Sequence, residues 1–573
     1  MDRDEIVEIL EEIAVLLQIK GENTFKSRAY ENAARALERT GGSLGTLVEE
    51  GRLAELDGVG KALAEKIETL HRTGKLDYYE KLKEAVPEGL RRMADIAGLG
   101  GKSIHRIHSE LGVETVRGLR EACESGEVAA LKGFGEKSAA KILNGIENLE
   151  RFSRRRLLPD AEEAAGPILD GLRALPAVIR AEVAGSLRRR RETVGDLDFL
   201  VAAGEAGEIM EWFTGWKDAA DVIARGRTKS SIRLRSGFQA DLRVVSEDQF
   251  AGALHHFTGS KDHNVRMRKR ALERGLSLSE WGLQKRGGGG GYETVRDEKD
   301  LFARLGMEWI PPELREGGPE IEWAETGRLP VLVELADIRG ALHNHTSASD
   351  GRGTIADMAA AAADLGWEYL GIADHSRSSV QANGLDEERL RRQIDEIRAF
   401  NRDGGSPVHV FAGTECDILK DGSLDFPDDL LGGLDYVVAS VHQAGSGGDG
   451  AITRRIVRAL EHPAVTLLGH PTGRLLLRRD PYPVDLARVI DAAAANGKWI
   501  EINAHPRRLD LDWREWERAR EKGVLACVNP DAHRPEGLAH IRFGVDVARK
   551  AGLTAGEVAN TCGLAAMKKR LGV

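Results

Sequence analysis

The segment IRGALHNH, residues 338–345, is a short apolar run that ends in two histidines, and six similar runs follow it. Each run ends in a residue that could bind a metal ion, and helix-like stretches separate the runs. The later runs are YLGIADH at 369–375, VHVFAGTE at 408–415, YVVASVH at 436–442, VTLLGH at 465–470, WIEIN at 499–503 and VLACVNPDAH at 524–533. Strands that alternate with helices and carry functional residues at their carboxyl ends are typical of a β/α barrel. Residues 337–573 are therefore predicted to form a distorted α/β barrel of seven β/α units.

Nine side chains with metal-binding groups lie at or just after the ends of these runs. They are His343, His345, Asp350, His375, Glu415, His442, His470, Asp531 and His533. A single histidine at a strand end is usually a buried, hydrogen-bonded side chain, but seven consecutive strands that finish this way indicate a metal centre. Imidazole and carboxylate without thiolate suit Mn²⁺, Zn²⁺ or Fe²⁺, and nine ligands are enough for three ions that share bridging groups. We therefore expect three divalent ions in this barrel.

The rest of the chain divides by its hydrophobic pattern. Residues 313–336 are rich in proline, glycine and glutamate, which is typical of a linker. Residues 156–312 mix helical stretches with strands, such as 238–244, in which apolar side chains alternate with polar ones. Residues 1–155 carry apolar side chains at helical spacing and few strand-like runs. The sequence thus predicts a multidomain protein with a helical N-terminal region, an α+β middle region and the barrel.

A glycine-apolar-glycine turn recurs three times in the helical region, each time before a lysine-bearing helix. The glycines are Gly58 and Gly60, Gly98 and Gly100, and Gly133 and Gly135. Glycine lets backbone N–H groups approach a phosphate oxygen closely, and the dipole of the following helix adds to the attraction. One such turn is more often an ordinary connection between helices. Three copies resemble the helix-hairpin-helix motif and predict contacts with the DNA backbone.

Three carboxylates in the middle region form the second candidate metal site. Asp196 and Asp198 are two residues apart on a predicted strand, so both face one side, and Asp241 lies on a later strand. Three clustered carboxylates repel one another unless cations bind between them, and Mg²⁺ or Mn²⁺ serves this role in phosphoryl transfer. An Asp-x-Asp pair alone is usually a surface feature, but here the dipeptide Gly185-Ser186 precedes it by ten residues.

Composition and charge narrow the setting in which the protein works. With 573 residues the chain can form about three to five modules. We expect a cytoplasmic protein that does not enter a membrane, because no basic-then-apolar leader and no long apolar run is found. The four cysteines are scattered and form no CxxC pair. A net charge of -10 argues weakly against nucleic acid, but arginine and lysine clusters between residues 151 and 270 concentrate positive charge locally.

The Gly-Ser dipeptide, the aspartates and the segment His256-Phe257-Thr258-Gly259-Ser260 together resemble the DNA polymerases of family X, over residues 1–312. The resemblance implies that Asp196 and Asp198 bind both metal ions and that Asp241 helps to activate the primer 3′-hydroxyl. It places Lys229 along the primer or template strand. It also assigns eight residues to the incoming nucleotide: Gly185, Ser186, Arg188, His256, Phe257, Gly259, Asn264 and Arg268.

The same resemblance implies a division into domains and a set of partners. Residues 1–88 would be a lyase-like helical domain with the first hairpin, and residues 89–155 a fingers-type region with the other two. Residues 156–250 would form a nucleotidyltransferase palm, and residues 251–312 a thumb that selects the nucleotide. We expect the partners to be gapped or primer-template DNA and dNTPs, and the protein to be a monomer.

Lys66 is a candidate nucleophile for an abasic-site lyase. It matches the lyase lysine of eukaryotic family X members, and Lys26 and Tyr30 match the residues that support it. A Schiff base with an abasic sugar needs an unprotonated amine and hence a lowered lysine pKa. A lysine that contacts phosphate on a hairpin helix would look the same in the sequence.

The order of the barrel's candidate ligands resembles the PHP family of phosphoesterases. The resemblance implies that His343-x-His345 and Asp531-x-His533 supply facing ligands and that Glu415 bridges metal ions. Asp374, beside His375, could orient that histidine or be structural. The implied activity is 3′-5′ exonuclease or 3′-end-cleaning phosphoesterase, with AP endonuclease included.

Two other functions compete with a repair polymerase that has this second activity. One is a template-independent nucleotidyltransferase joined to a small-molecule phosphatase, against which the three predicted DNA-binding hairpins count. The other is a scaffold for DNA ends without catalytic activity. Complete carboxylate and ligand sets argue against the scaffold.

His256 departs from the family pattern, which has tyrosine there, ahead of the phenylalanine under the sugar. We hypothesise that His256 alters the preference between deoxyribo- and ribonucleotides. Replacing His256 by tyrosine is expected to change the ratio of the two incorporations, measured on one primer-template against the unaltered protein. An unchanged ratio would contradict the hypothesis.

Overall fold

The computed structural model describes residues 1, 3–39, 44–56, 58–96, 98–152, 155–286, 291–443 and 450–573. Contacts between Cα atoms divide the chain into two compact units. The first is built mainly from Met1–Ser153, and the second from Arg154–Ser349, Ile355–Leu476 and Asp480–Val573. No helix in these ranges is both long enough and apolar enough to cross a membrane.

The first unit is helical, as predicted. Its helices within the described ranges are α1 (Arg3–Ile19), α2 (Thr24–Arg39), α3 (Leu44–Glu49), α4 (Lys61–Thr73), α5 (Asp77–Ala85), α6 (Glu88–Ala94), α7 (Gly101–Leu111), α8 (Val116–Glu124), α9 (Glu127–Ala130) and α10 (Glu136–Phe152). Helix α1 carries Ile6, Leu10, Ile13 and Leu17 at three- and four-residue spacing, and all four side chains are buried in the core of this unit.

A mixed sheet forms the centre of the palm region in the second unit. The elements of this region are β1 (Arg156–Leu157), α11 (Leu158–Ala174), β2 (Val178–Val183), α12 (Gly185–Arg188), β3 (Thr193–Val194), β4 (Asp196–Ala203), α13 (Gly207–Thr214), β5 (Ala219–Arg225), β6 (Lys229–Leu234) and β7 (Gln239–Val245). In the described part of the chain its five strands follow the order β2-β4-β7-β6-β5. Strands β4 and β7 are parallel, and the other neighbours are antiparallel. Alternate residues Leu197, Phe199 and Val201 of β4 are buried in the core, which leaves the aspartates of β4 on the opposite face.

The thumb region and the segment after it form a smaller core. Their elements are α14 (Phe250–Thr258), α15 (Lys261–Glu273), β8 (Leu276–Ser279), β9 (Gly282–Lys285), α16 (Glu298–Arg304) and α17 (Glu320–Glu325). The segment 313–336, for which composition predicts a linker, packs into this core. Arg315 is fully buried against Glu298, with an Nη1 to Oε1 distance of 2.5 Å, and Ile321 is fully buried as well. Long-range ion pairs and buried apolar side chains fix this segment in place. Neither can be predicted from amino-acid composition.

The C-terminal part is a parallel barrel. Its elements are β10 (Gly340–Ala341), α18 (Ile355–Asp364), β11 (Tyr369–Ile372), α19 (Glu387–Asp403), β12 (His409–Asp417), α20 (Asp428–Leu431), β13 (Tyr436–Ser440), α21 (Ala451–Leu460), β14 (Leu467–Leu468), α22 (Leu486–Ala495), β15 (Trp499–Asn503), α23 (Trp516–Glu521), β16 (Ala526–Asn529), α24 (Ile541–Lys550) and α25 (Leu564–Leu571). Within the described residues, seven strands pair in sequence order, all in parallel. The His345 N–H donates to the Ala532 carbonyl at 2.8 Å, which joins the first strand to the last. The predicted fold class is confirmed.

Candidate active sites

Glu415 lies at the centre of the candidate metal site, at the carboxyl end of β12. Its carboxylate is 1% exposed and faces the rings of five histidines. The N···O distances are 3.4 Å to His343, 3.8 Å to His345, 2.7 Å to His375, 3.1 Å to His442 and 2.8 Å to His470. Because the strands are parallel, their carboxyl ends meet at one edge and bring these side chains together.

Asp531 and His533 lie across the site from Glu415, after the last barrel strand. Asp531 is 3.2 Å from His345 and 3.7 Å from His343, measured from Oδ1 to Nε2. Its other neighbour, His533, stacks on His345 with ring centroids 4.2 Å apart. The ligand atoms of His345, Asp350, His375 and His533 all lie within 4.8 Å of one another. The structure thus brings all nine predicted ligands to the carboxyl end of the barrel.

The chemistry of this cluster fits bound cations. Burial opposes charge on His343, but the nearby carboxylates of Glu501, Glu415 and Asp531 outweigh it and raise the pKa of His343. The Nε2 of His343 is buried and makes no hydrogen bond within the described part of the chain, although it faces two carboxylates. Carboxylates and imidazoles packed this closely offer the donor set of a divalent metal centre.

The second candidate site lies on the palm sheet. Asp198 of β4 pairs directly with Asp241 of the parallel strand β7, and Asp196 precedes it on the same face. Burial first, and then the charges of Asp196 and Asp241, raise the pKa of Asp198 to about 7. Lys229 Nζ lies 3.7 Å from Asp241 Oδ2. The raised pKa of Asp198, beside two further carboxylates, indicates a site that cations would stabilise.

Gly185 opens α12 beside these carboxylates, where a side chain would clash with Asp198 and strain the backbone. Its φ of 59° is in the left-handed region, and a Cβ at this position would lie 2.1 Å from Asp198 Oδ2. Ser186 and Arg188 follow on α12. The guanidinium of Arg188 donates two hydrogen bonds to Glu298, at 3.0 and 2.7 Å, and one to the Thr258 hydroxyl.

The predicted nucleotide-selecting residues lie on α14 and α15. His256 and Phe257 are near the end of α14, with ring centroids 4.9 Å apart. Asn264 on α15 donates to the His256 carbonyl at 2.7 Å, which ties the two helices together. Gly259 follows α14 with a φ of 72°, and Arg268 lies on α15. The roles of these residues remain predictions.

Each predicted hairpin places its glycines at the start of a helix. Gly58, Gly98 and Gly133 have φ values of 85°, 83° and 86°, in the left-handed region that glycine adopts without strain. Gly60 and Gly100 are the extended N-cap residues of α4 and α7. Gly135 precedes α10, and its carbonyl accepts from the Ser138 and Ala139 amides. The first backbone N–H groups of a helix have no carbonyl partner within it, so the helix starts at these glycines are suited to phosphate oxygens.

Lys66 lies in an aromatic pocket of the helical unit. Its Nζ donates to the Tyr30 hydroxyl at 2.6 Å and lies 4.3 Å from the centre of the Tyr78 ring. Burial, and then the positive charge of Lys26, lower the pKa of Lys66. Tyr30 and Tyr78 stack with parallel rings 6.1 Å apart. Tyr78 is a member of this pocket that sequence reasoning missed.

Comparison with known proteins assigns the chain to one family. Family models for a helix-hairpin-helix domain, a SAM-like helix-hairpin-helix tandem, the DNA polymerase beta thumb and the PHP domain match residues 1–76, 90–148, 253–316 and 341–505. A DNA polymerase/3′-5′ exonuclease PolX of Bacillus subtilis (strain 168) is 40% identical over 96% of both chains. The chain belongs to the family X DNA polymerases that carry a C-terminal PHP domain.

Two further relatives each match a different part of this family X polymerase. A probable phosphatase of Thermoanaerobacter sp. (strain X514) is 32% identical over 27% of the chain and 64% of its own length. DNA polymerase lambda of Rattus norvegicus is 25% identical over 54% of the chain and 56% of its own length. The main functional prediction is supported over its alternatives.

Two carboxylates that hold the PHP histidines were missed in the sequence. Glu501 on β15 is fully buried; its Oε1 lies 2.7 Å from His343 Nδ1, and its Oε2 accepts from the His470 amide at 2.7 Å. Asp417 lies 2.7 Å from His442 Nδ1. Asp417 is two residues after Glu415 on one strand, and that period could have identified it.

Asp374 has a structural role rather than the orienting role considered for it. Its carboxylate accepts from the Thr346 amide at 2.8 Å, from the Thr346 hydroxyl at 2.6 Å and from Gln393 at 2.5 Å. The Ser349 hydroxyl also donates to it. Asp374 thus fixes the loop after β10, and the contact of His375 Nδ1 is with Glu415 at 2.7 Å.

Glu501→Gln is expected to weaken metal binding at the PHP site by about 10- to 100-fold, because histidine ligands lose orientation and basicity when their carboxylate partner is removed. The measurement is metal content after dialysis against limiting Mn²⁺. Glu517→Gln, at an exposed position on α23, is the matched control. Equal metal content in both variants would contradict the role of Glu501.

Proposed function

We propose that this protein fills short gaps during DNA repair with its palm and processes DNA 3′ ends with its PHP domain. The observation that carries the proposal is that one chain holds two separate clusters of metal-binding side chains. The carboxylates of Asp196, Asp198 and Asp241 form the first, and Glu415 with the eight other predicted barrel ligands forms the second. Three hairpins shaped for phosphate oxygens support DNA as the shared substrate.

At the palm, the chain's own groups would hold the reactants in line. Asp241 would accept the proton of the primer 3′-hydroxyl at a carboxylate oxygen, and Ser186 with Arg188 would hold the triphosphate. Arg188 would have to exchange part of its pairing with Glu298 for the phosphate. Mg²⁺ or Mn²⁺ held by the aspartates would neutralise charge that develops during phosphoryl transfer.

At the PHP site, the histidines around Glu415 would hold up to three Mn²⁺, Zn²⁺ or Fe²⁺ ions, which would supply charge neutralisation for hydrolysis. Glu501 and Asp417 keep His343 and His442 oriented towards the centre of the site. The 3′-5′ exonuclease activity named for the PolX relative supports the same activity at this site. We further propose AP endonuclease and 3′-phosphatase activities for it. The monomeric state and the cytoplasmic location remain predictions from the sequence.

Separate mutations should separate the two activities. Asp198→Ala is expected to lower only primer extension, and His343→Ala only degradation of a labelled 3′ end. Each loss should exceed about a hundredfold, since losing an outer-shell partner alone costs about 10- to 100-fold. Both reactions are measured on gapped DNA with Mn²⁺, and each variant serves as the folding control of the other. Full retention of both activities in both variants would sink the proposal.

A second candidate function, abasic-site lyase, is favoured by the pocket around Lys66. The amine would attack the sugar aldehyde and form a Schiff base with loss of water, which requires the unprotonated form. Burial and Lys26 lower the pKa of Lys66, so a larger fraction is unprotonated near neutral pH than for an ordinary lysine. The Tyr30 hydroxyl at 2.6 Å would hold Nζ in place.

Borohydride trapping on abasic DNA should rise with pH through an inflection below 10.5, the ordinary lysine value. Lys26→Met should move the inflection to higher pH, because the ammonium that disfavours protonation of Lys66 is gone. Lys66→Ala should abolish trapping, and Lys20→Met, at an exposed position, should leave it unchanged. Trapping that persists in Lys66→Ala would rule the lyase out.

A further inference from the structure

The proposed nucleotide-binding turn of the palm, residues 186–191, makes contacts with residues outside the palm. After α12 the chain turns through Arg189, Arg190 and Arg191, and the Arg191 amide donates back to the Ser186 carbonyl at 3.0 Å. Arg190 has a φ of 55°, a left-handed conformation that is strained in a non-glycine residue. Such a conformation persists only where the surroundings hold it.

Helix α24 of the PHP domain supplies part of that hold. Lys550, at its last position, is 4% exposed. Its Nζ donates to the Arg189 carbonyl at 3.0 Å, to the Glu313 carbonyl at 3.1 Å and to Glu316 Oε1 at 2.5 Å. One buried ammonium therefore connects the PHP domain, the nucleotide-binding turn and the segment between the two domains.

Glu316 forms ion pairs with arginines of this turn. Besides Lys550, its carboxylate contacts Arg189 Nε at 3.1 Å and Arg191 Nη1 at 3.3 Å, and its side chain is 11% exposed. Because these pairs are shielded from water, losing one cation leaves the remaining charges without a full set of partners. The backbone of the turn would then be free to shift.

A second side chain of helix α24 contacts Arg190 directly. Asp546, one helical turn before Lys550, lies 3.3 Å from Arg190 Nε. A second partner of Arg190 is Glu162 of the palm, which also pairs with Arg542 of α24 at 2.7 Å. The left-handed residue is thus clamped between a palm carboxylate and a PHP carboxylate.

We propose that Lys550 and Asp546 of the PHP domain are positioning residues for nucleotide binding by the polymerase. They touch no reacting atom and act through the backbone and side chains of Arg189, Arg190 and Glu316. The inference rests on the proposed role of Ser186 and Arg188 in holding the triphosphate. It makes the PHP domain a structural part of the polymerase, independent of its own hydrolytic activity.

The test is steady-state primer extension by the full chain, with KM for dNTP and kcat measured separately. Lys550→Met should raise KM by about tenfold or more and change kcat less, because displacing a binding group by about 1 Å is costly. Degradation of a labelled 3′ end should stay within about twofold of the unaltered protein, which shows that the variant is folded. Lys569→Met, on the exposed face of α25, is the matched control and should change neither activity.

Glu316→Gln, a nearly isosteric change, gives a second route to the same contact. It should raise KM as Lys550→Met does, and the double variant should be no worse than the poorer single variant, because the two residues act as one unit. Additive effects would overturn the proposal, and so would an equal fall of synthesis and degradation.

Ser186→Ala separates failure of the inference from failure of the function beneath it. If Ser186→Ala raises KM while Lys550→Met does not, the positioning role is wrong and the nucleotide site stands. If neither variant changes KM, the proposed nucleotide role of Ser186 is itself wrong, and the inference falls with it.

Discussion

A buried carboxylate is stable only where positive charge or hydrogen-bond donors surround it, and this constraint determines how both sites of the chain are built. In the PHP domain Glu415 is almost fully buried among five imidazoles. In the palm, Asp198 has two neighbouring aspartates, and its pKa is raised to about 7. In the palm, the deficit of positive charge is therefore the physical reason to assign divalent cations. In the PHP domain, the reason is that closely packed imidazoles and carboxylates offer the donor set of a divalent metal centre.

The same constraint holds the parts of the second unit together. Glu298 lies between Arg188 and Arg315, and the two arginines outweigh the effect of burial and lower the pKa of Glu298. Glu316 likewise lies among three cations, one of which is Lys550 of α24, and they lower its pKa despite burial. A buried network of this kind has few alternative arrangements, because every displaced charge would lose its partners. Palm, thumb and barrel are thereby fixed against one another within this unit.

Much of the PHP site could be predicted from the sequence, because parallel strands bring their carboxyl ends to one edge. A run such as 369–375 ends in His375, and the parallel register of neighbouring strands places that end beside the end of the next strand. The Asp196 and Asp198 pair followed from the two-residue period of a strand in the same way. Glu501 could not be predicted from the sequence, because its role is to orient His343, which lies more than 150 residues away in the chain. Sequence periodicity describes one strand and carries no information about its partner.

The segment 313–336 shows the limit of composition as a guide. Proline, glycine and glutamate predict a linker, yet Arg315 and Glu320 are among the most buried charged residues in the described part of the chain. Each is buried because a distant residue pairs with it: Glu298 with Arg315, and His263 with Glu320 at 2.8 Å.

These pairings also bear on how the two activities can influence each other. The palm and PHP sites hold separate sets of carboxylates, so neither site needs a group of the other for its chemistry. Communication through the protein itself must then pass through the contacts between the two domains, and Glu316 with Lys550 is such a contact. A change that leaves every metal ligand intact can therefore still alter synthesis, if it reaches the turn that follows Ser186.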